Sequence, residues 1–280
     1  MPRITIVPVS GLGNRMRVVA SAVKMAGDMN VHIRVVWQPA WDCRAGFDDL
    51  FLPLSFENVS LCRGNFMDAP ATKDNLLLPM LLRKSCYQAE YRCFRPTETV
   101  SLQSLIGRGY SFYMDTCYAL CNYSHELFRE CFRLRPELER QVEDTVSGFS
   151  SRTLGVHVRR SDNRQAIRYS PLTAFRQRID ALFDSGEAEQ LFLSTDDNRV
   201  REFFRKTYGK HLITRRVVLD RNSLQGIRDA VIDLWCLSRT SRLLGSYYSS
   251  FSETAAELSD IPFEVVTESL SSETNSGATI

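Results

Sequence analysis

Between residues 153 and 258 the chain repeats one pattern four times: an apolar run of strand length, a polar turn, then a segment with helical periodicity. The pattern predicts strands over 153–159, 190–194, 212–219 and 242–246, and helices over 171–184, 198–207, 223–238 and 250–258. Strict alternation of this kind admits few folds. Each helix must return the chain to the same end of the next strand while covering a sheet face, so the strands run parallel and the sheet is doubly wound. Ligands of such sheets gather outside the carboxyl ends of the strands.

The opening residues start the same way, with a strand over 3–9, a glycine turn over 10–14, a helix over 15–27 and a strand over 31–37. From Pro39 to Arg95 periodicity fades and aromatics, prolines and cysteines accumulate, as expected of loops and short helices around a site. A strand over 110–115 and helices over 124–134 and 136–147 follow, with Arg135-Pro136 marking the break between the two helices. Ser170-Pro171 offers an N-cap and a first-turn proline to the helix after it. The stretch SGFSSR, 147–152, is the expected linker. The chain thus reads as an α/β protein of two Rossmann-like domains, 1–148 and 149–270, whose parallel sheets face each other across a cleft. A tail over 271–280, rich in Ser, Thr, Gly and Asn, is expected to be disordered. With 280 residues, 44% of them apolar, the chain can bury cores of that size.

Net charge is only +2, which argues against a protein that coats nucleic acid. The positive charge is nearly all arginine: of 35 basic residues only Lys24, Lys73, Lys84, Lys206 and Lys210 are lysines. Guanidiniums bind phosphates and carboxylates with paired hydrogen bonds. Scattered as they are here, they are also compatible with peripheral contact with an anionic membrane. No apolar run reaches membrane-spanning length, no charged-then-apolar leader follows Met1, and the eight cysteines form no CxxC pair. The expectation is a cytoplasmic protein with reduced thiols and no bound metal.

Four stretches place unusual polar residues at strand ends. SGLGNRMR, 10–17, puts Gly11 and Gly13 where a tight loop can approach a ligand and a helix start can offer free N–H groups to an anion. It lacks the third glycine of the dinucleotide fingerprint, since Met16 stands there, and a plain strand-to-helix turn would account for it equally well. GVHVRRSDN, 155–163, alternates Val156 and Val158 on one face with His157 and Arg159 on the other. A bland arrangement would pair Arg160 with Asp162 and satisfy His157 in the core. Two adjacent guanidiniums at a strand end nevertheless call for an anion, and a diphosphate is the natural one. FLSTDDNR, 192–199, ends a strand in Asp196 and Asp197, of which Asp197 can cap the next helix and the other can accept from a nucleobase or ribose hydroxyls. GSYYSSFS, 245–252, starts a helix with Ser249, Ser250 and Ser252, either a capped end or a phosphate cradle.

These motifs, with AVIDLWCLSRTSRLLGSYYSSFSETAAEL over 230–258 and VVWQPAWDCRAGFDDLF over 35–51, occur in the order seen in GDP-fucose-dependent fucosyltransferases. The chain resembles the superfamily that holds the α1,6 enzymes of the rhizobial nodulation type and the animal N-glycan type, the α1,2 enzymes and the protein O-fucosyltransferases. The resemblance spans nearly the whole chain apart from residues 60–125. It implies a GT-B fold and an inverting, metal-independent transfer with no cofactor. GDP-fucose would be the donor substrate, held mainly by 149–270, and an oligosaccharide or glycolipid would be the acceptor, on the side of 1–148. By position it implies that Arg159, with Arg160 beside it, contacts the leaving diphosphate, and that His157 and one of Asp196 and Asp197 bind guanosine. It further implies that Ser249, Ser250, Phe251 and Ser252 line the nucleotide pocket, and that Gly11, Gly13, Asn14 and Arg15 close over the diphosphate. Asp233 is expected on a helix in a structural role.

One departure bears on catalysis. Where the α1,6 type continues its arginine motif with a lysine and then a glutamate, this chain has Asn163, and 163–170 contains no acid. Asp42, Asp48, Asp49 and Asp162 are the replacement candidates for the base. Trp37 and Trp41 are candidates to stack on an acceptor sugar, with core packing the alternative, favoured for Trp37. Another GDP-sugar as donor, or a protein that binds nucleotide or glycan without turnover, are the competing expectations.

Overall fold

A computed structural model describes residues 2–96 and 102–268. The tail expected over 271–280 lies outside the described residues. In chain order the elements are β1 (Ile4–Pro8), α1 (Leu12–Met29), β2 (Ile33–Val36), β3 (Val59–Cys62), α2 (Leu78–Arg83), β4 (Ala89–Tyr91), α3 (Leu102–Gly107), β5 (Phe112–Thr116), α4 (His125–Cys131) and α5 (Pro136–Val146). They continue with β6 (Thr153–Val158), α6 (Arg164–Tyr169), α7 (Leu172–Asp184), β7 (Gln190–Thr195), α8 (Asn198–Tyr208), β8 (Leu212–Ile213), α9 (Leu224–Ser238), β9 (Arg242–Ser246), α10 (Ser250–Ser259) and β10 (Phe263–Val266).

The strands form two sheets, ordered β3-β2-β1-β5-β4 and β10-β9-β6-β7-β8, with every pairing parallel. Each sheet is wound in both directions from its first strand. The strand order therefore reverses between β1 and β5 in one sheet and between β6 and β9 in the other, which opens a crevice at each carboxyl edge. The central strands are buried on both faces, as continuous apolar runs require.

One apolar core runs through both halves. Residues of α1, β1 and the 47–51 turn pack with Ile227, Val231 and Trp235 of α9, and Phe51 meets Trp235 with ring centroids 5.8 Å apart. Helix α5 lies on α9, where Leu138 and Val142 join this core and Arg239 reaches Glu139 and Glu143. A second core, under α7 and α8, covers the other face of the second sheet through Val156, Val158 and Phe204. The SGFSSR stretch is a pinned turn: the Ser150 N–H donates to Thr153 Oγ1 and to Gln190 Oε1.

Three local expectations are corrected. The strand expected over 212–219 ends at Ile213, because Arg215 turns away to Asp229 and Asp233 and the Val218 N–H donates to Asp229 Oδ2 at 2.9 Å. Ser170 does not cap α7. Its hydroxyl donates to the Val266 carbonyl and accepts from the Tyr247 N–H, tying α7's start to the end of β10 and to the site loop. Finally β3, β4, β10 and α6 form where no element was expected.

Candidate active site

His157, on the edge of the crevice between β6 and β9, stands level with Gly245. Its Nδ1 shares a 2.7 Å hydrogen bond with Ser252 Oγ, Ser249 Oγ lies 3.5 Å away, and the Phe251 ring packs on the imidazole at 4.7 Å. Gly245 makes room for this arrangement, since a Cβ there would stand 2.6 Å from both Cβ and Oγ of Ser252. Burial pushes the His157 pKa below its ordinary 6.5, so the ring is neutral at physiological pH. Ser249 does not cap α10 with its side chain, so the first-turn N–H groups of this helix carry no side-chain acceptor. The serines and Phe251 thus lie together at the crevice.

Arg159 forms a bidentate pair with Asp162, Nε to Oδ1 at 2.9 Å and Nη2 to Oδ2 at 3.0 Å. Arg221, from the loop before α9, donates to the same carboxylate at 2.8 Å. Two guanidiniums therefore share one acid, and the hydrogen bonds from Arg159 hold the Asp162 carboxyl below the usual carboxylate range. The site opens into a shallow groove of about 620 Å³ lined by Arg159, Asp162, Asn163, Arg164, Tyr247 and Tyr248.

The other residues of these motifs hold the walls. The bland arrangement would pair Arg160 with Asp162, but the residue that pairs with it is Arg159. The Arg160 guanidinium donates to the carbonyls of Arg159, Ala166 and Ser170, bracing the loop between β6 and α6. Asp196 accepts from the N–H groups of Arg160 and Ser161 and from the Ser161 hydroxyl, so its carboxylate is occupied in fixing that loop. Asp197 caps α8 through the Arg199 N–H at 2.7 Å. Asn163 caps α6, accepting from Gln165 and Ala166, and donates to the Tyr248 carbonyl at 2.8 Å. Asp233 is buried on α9, where Ser194 Oγ and Arg215 bind it, in keeping with a structural role.

The glycine turn after β1 meets the serine helix directly. A Cβ on Gly13 would lie 2.8 Å from Thr254 Oγ1 and 3.0 Å from the Ser250 carbonyl oxygen, so the starts of α1 and α10 touch. Gly11 begins α1 with open space beside it, and Asn14 donates to Ser10 Oγ at 3.1 Å. Arg15 is 2% exposed and fully engaged, by Ser10 O, Gln38 O and Asp42 Oδ1. It fastens the loops after β1 and β2 together instead of reaching a diphosphate. That bond also occupies Asp42. Asp49 closes the turn Phe47–Asp49 by accepting from the Gly46 N–H, and Asp48 is exposed beside it with its carbonyl bound to Arg135. Trp37 is buried in the core, its Nε1 donating to Ala45 O, whereas Trp41 is 78% exposed. The Trp41 loop touches the loop before α9, where the Arg44 N–H donates to the Arg221 carbonyl at 3.2 Å.

Two features were missed from sequence. Arg221 gave no signal, being a lone arginine in a loop. Asp115 did give one: it ends β5, beside β1, just as Asp196 follows β7. It is buried, Oδ1 accepts from the Cys93 N–H at 2.7 Å, and Oδ2 has no partner. Burial raises its pKa. Just beyond it Arg95 donates to the Tyr118 hydroxyl, and Tyr248 of the groove lies within electrostatic reach of Arg95. Among the described residues no group of three or more His, Cys, Asp and Glu side chains is arranged to hold a metal ion.

No protein-family model and no curated protein matches the chain. Solved structures do. NodZ α-1,6-fucosyltransferase soaked with GDP-fucose superposes with a TM-score of 0.58 at 17% identity, over 92% of this chain and 93% of that one. Fucosyltransferase NodZ from Bradyrhizobium gives 0.55 at 17%, over 91% and 92%. POFUT1 in complex with GDP gives 0.54 at 11%, over 95% and 99%. Two parallel sheets, each reversing its strand order at its first strand and matched over nearly the full length of each chain, give this protein the GT-B fold seen in fucosyltransferase NodZ and in POFUT1.

Proposed function

We propose that this protein is a glycosyltransferase that moves fucose from GDP-fucose to a hydroxyl of an oligosaccharide or glycolipid acceptor, in the cytoplasm, with inversion and without a metal. The observation that carries the proposal is the pair of guanidiniums, Arg159 and Arg221, converging on a single carboxylate at the carboxyl edge of the second sheet. In the transfer the bond from the sugar's anomeric carbon to the β-phosphate oxygen breaks, and the acceptor oxygen bonds that carbon from the opposite face. Negative charge grows on the departing diphosphate, and fixed guanidiniums with the open N–H groups of α10 are suited to stabilise it. His157, neutral and pinned by Ser252, is suited to the guanosine rather than to proton transfer.

The acceptor hydroxyl must give up its proton. Asp42 is paired with Arg15, Asp49 closes its own turn on the Gly46 N–H, Asp48 is exposed on that turn, and Asp162 is held by two arginines that lower its proton affinity. We assign the step to Asp115, whose Oδ2 is buried and unpartnered and whose proton affinity burial raises. The exposed ring of Trp41, on the loop that touches Arg221, is a platform for an acceptor sugar.

The test is GDP release from GDP-fucose and from GDP-mannose, with and without glycan acceptors. Faster release with fucose and an acceptor supports the proposal; faster release with mannose replaces the sugar and keeps the fold's chemistry. A second reading, binding without turnover, is favoured by Asn163, which serves as a cap where the α1,6 type has a lysine, with no acid following it. That reading expects GDP binding and no release from either donor.

A further inference from the structure

An apolar surface stands on the first sheet's flank, on α2 and the turn Phe66–Asp68. Phe66, Leu76, Leu78, Leu81 and Leu82 are all exposed, Leu76 by 75%. The segments that carry them are tied together, because Arg83 of α2 is buried and donates to the carbonyls of Met67 and Ala69, fastening α2 to the turn Phe66–Asp68. The backbone works to present it. Leu76 and Leu77 both hold left-handed conformations, φ 54° and 59°, which leucine rarely adopts, and such outliers persist only where the surroundings over-determine them.

The rim is basic. Lys73 and Lys84, two of the five lysines in the chain, are exposed, flank the leucines in sequence and form no ion pair among the described residues, and exposed Arg63 stands next to the turn. Arg63 lies 3.6 Å from Asp49, and Asp74 is the one acid within the 72–84 segment. Exposed leucines within a lysine border suit a bilayer interface, where apolar side chains enter the acyl boundary and the cations meet anionic headgroups. A protein partner or second copy would be served by the leucines but would gain nothing from unpaired lysines on both sides unless it were acidic. No described helix is long and apolar enough to cross a membrane.

We propose that the patch of Phe66, Leu76, Leu78, Leu81 and Leu82, bordered by Lys73 and Lys84, seats the protein on an anionic lipid surface. This deepens the glycolipid-acceptor reading above by naming the surface that would meet the lipid, and its test is separate from donor binding.

The experiment is co-sedimentation of the full chain with phosphatidylcholine vesicles, with and without phosphatidylglycerol, beside light scattering of the protein alone. Binding is expected to mixed vesicles, weaker to phosphatidylcholine alone, and to fall with salt. The double variant Leu81→Asp/Leu82→Asp should lower the partition coefficient at least about tenfold, and Lys73→Glu/Lys84→Glu should remove the preference for phosphatidylglycerol. Unchanged circular dichroism and thermal midpoint keep misfolding out of the comparison, whether or not GDP binds. No sedimentation of wild type, or a dimer that dissociates in the leucine variant while vesicles bind neither, overturns the proposal.

Discussion

Asp162 sits between Arg159 and Arg221 as a resident anion, and in the proposed transfer the diphosphate takes its place. Asp162→Asn should therefore free the guanidiniums and tighten GDP binding by about tenfold, equivalent to ~1.4 kcal/mol; unchanged or weaker binding by calorimetry would mean that the acid is needed to orient them. Asp115→Asn should lower kcat by about a hundredfold while leaving GDP affinity alone, as loss of a general base does. His157 makes stability depend on pH. The unfolded chain takes up its proton below 6.5, whereas the buried ring resists protonation until lower pH, so the unfolded state binds more protons in that window. The contribution is present above 6.5 and is lost as pH falls below it; His157→Asn should flatten that part of the thermal-midpoint profile. That Arg159, His157 and the serines gather at one strand-end crevice was legible because they interrupt or follow apolar strands. The roles of Arg15, Arg160 and Asp196 were not, since only packing decides whether a guanidinium meets a ligand or a carbonyl.

The contact between α1 and α10 depends on one missing side chain. Gly13→Ala would press a Cβ against the Ser250 carbonyl and Thr254 Oγ1, and overpacking of this kind costs about 1–3 kcal/mol, measurable by urea unfolding. The elements that carry the site, β1, β6, β7 and β9, were plain in the sequence as buried strands with near-continuous apolar runs. The strands that escaped notice lie toward the sheet margins, are three or four residues long and only partly buried, so their pattern is faint. The strand expected to continue past Ile213 fails for an electrostatic reason: Arg215 is drawn to the buried pair Asp229 and Asp233 on α9. Composition around 214–219, apolar enough for a strand, carries no trace of that pull.

At the scale of the whole molecule, the shared core and the ion pairs of Arg17 with Glu253 and Glu257 join the halves. One calorimetric transition is expected, with van't Hoff and calorimetric enthalpies in agreement; two resolved transitions would show the halves to be independent. That union brings the crevice of the first sheet, with Asp115, and the crevice of the second, with Arg159 and His157, into one folded unit. The central claim is that the paired guanidiniums are a diphosphate site, and isothermal titration of GDP, GDP-fucose and GDP-mannose into wild type and Arg159→Ala, in EDTA, tests it most directly. The account predicts micromolar binding of GDP-fucose that Arg159→Ala weakens by about a hundredfold or more, ~3 kcal/mol. Absence of binding by any GDP compound, or equal binding by the variant, would contradict it.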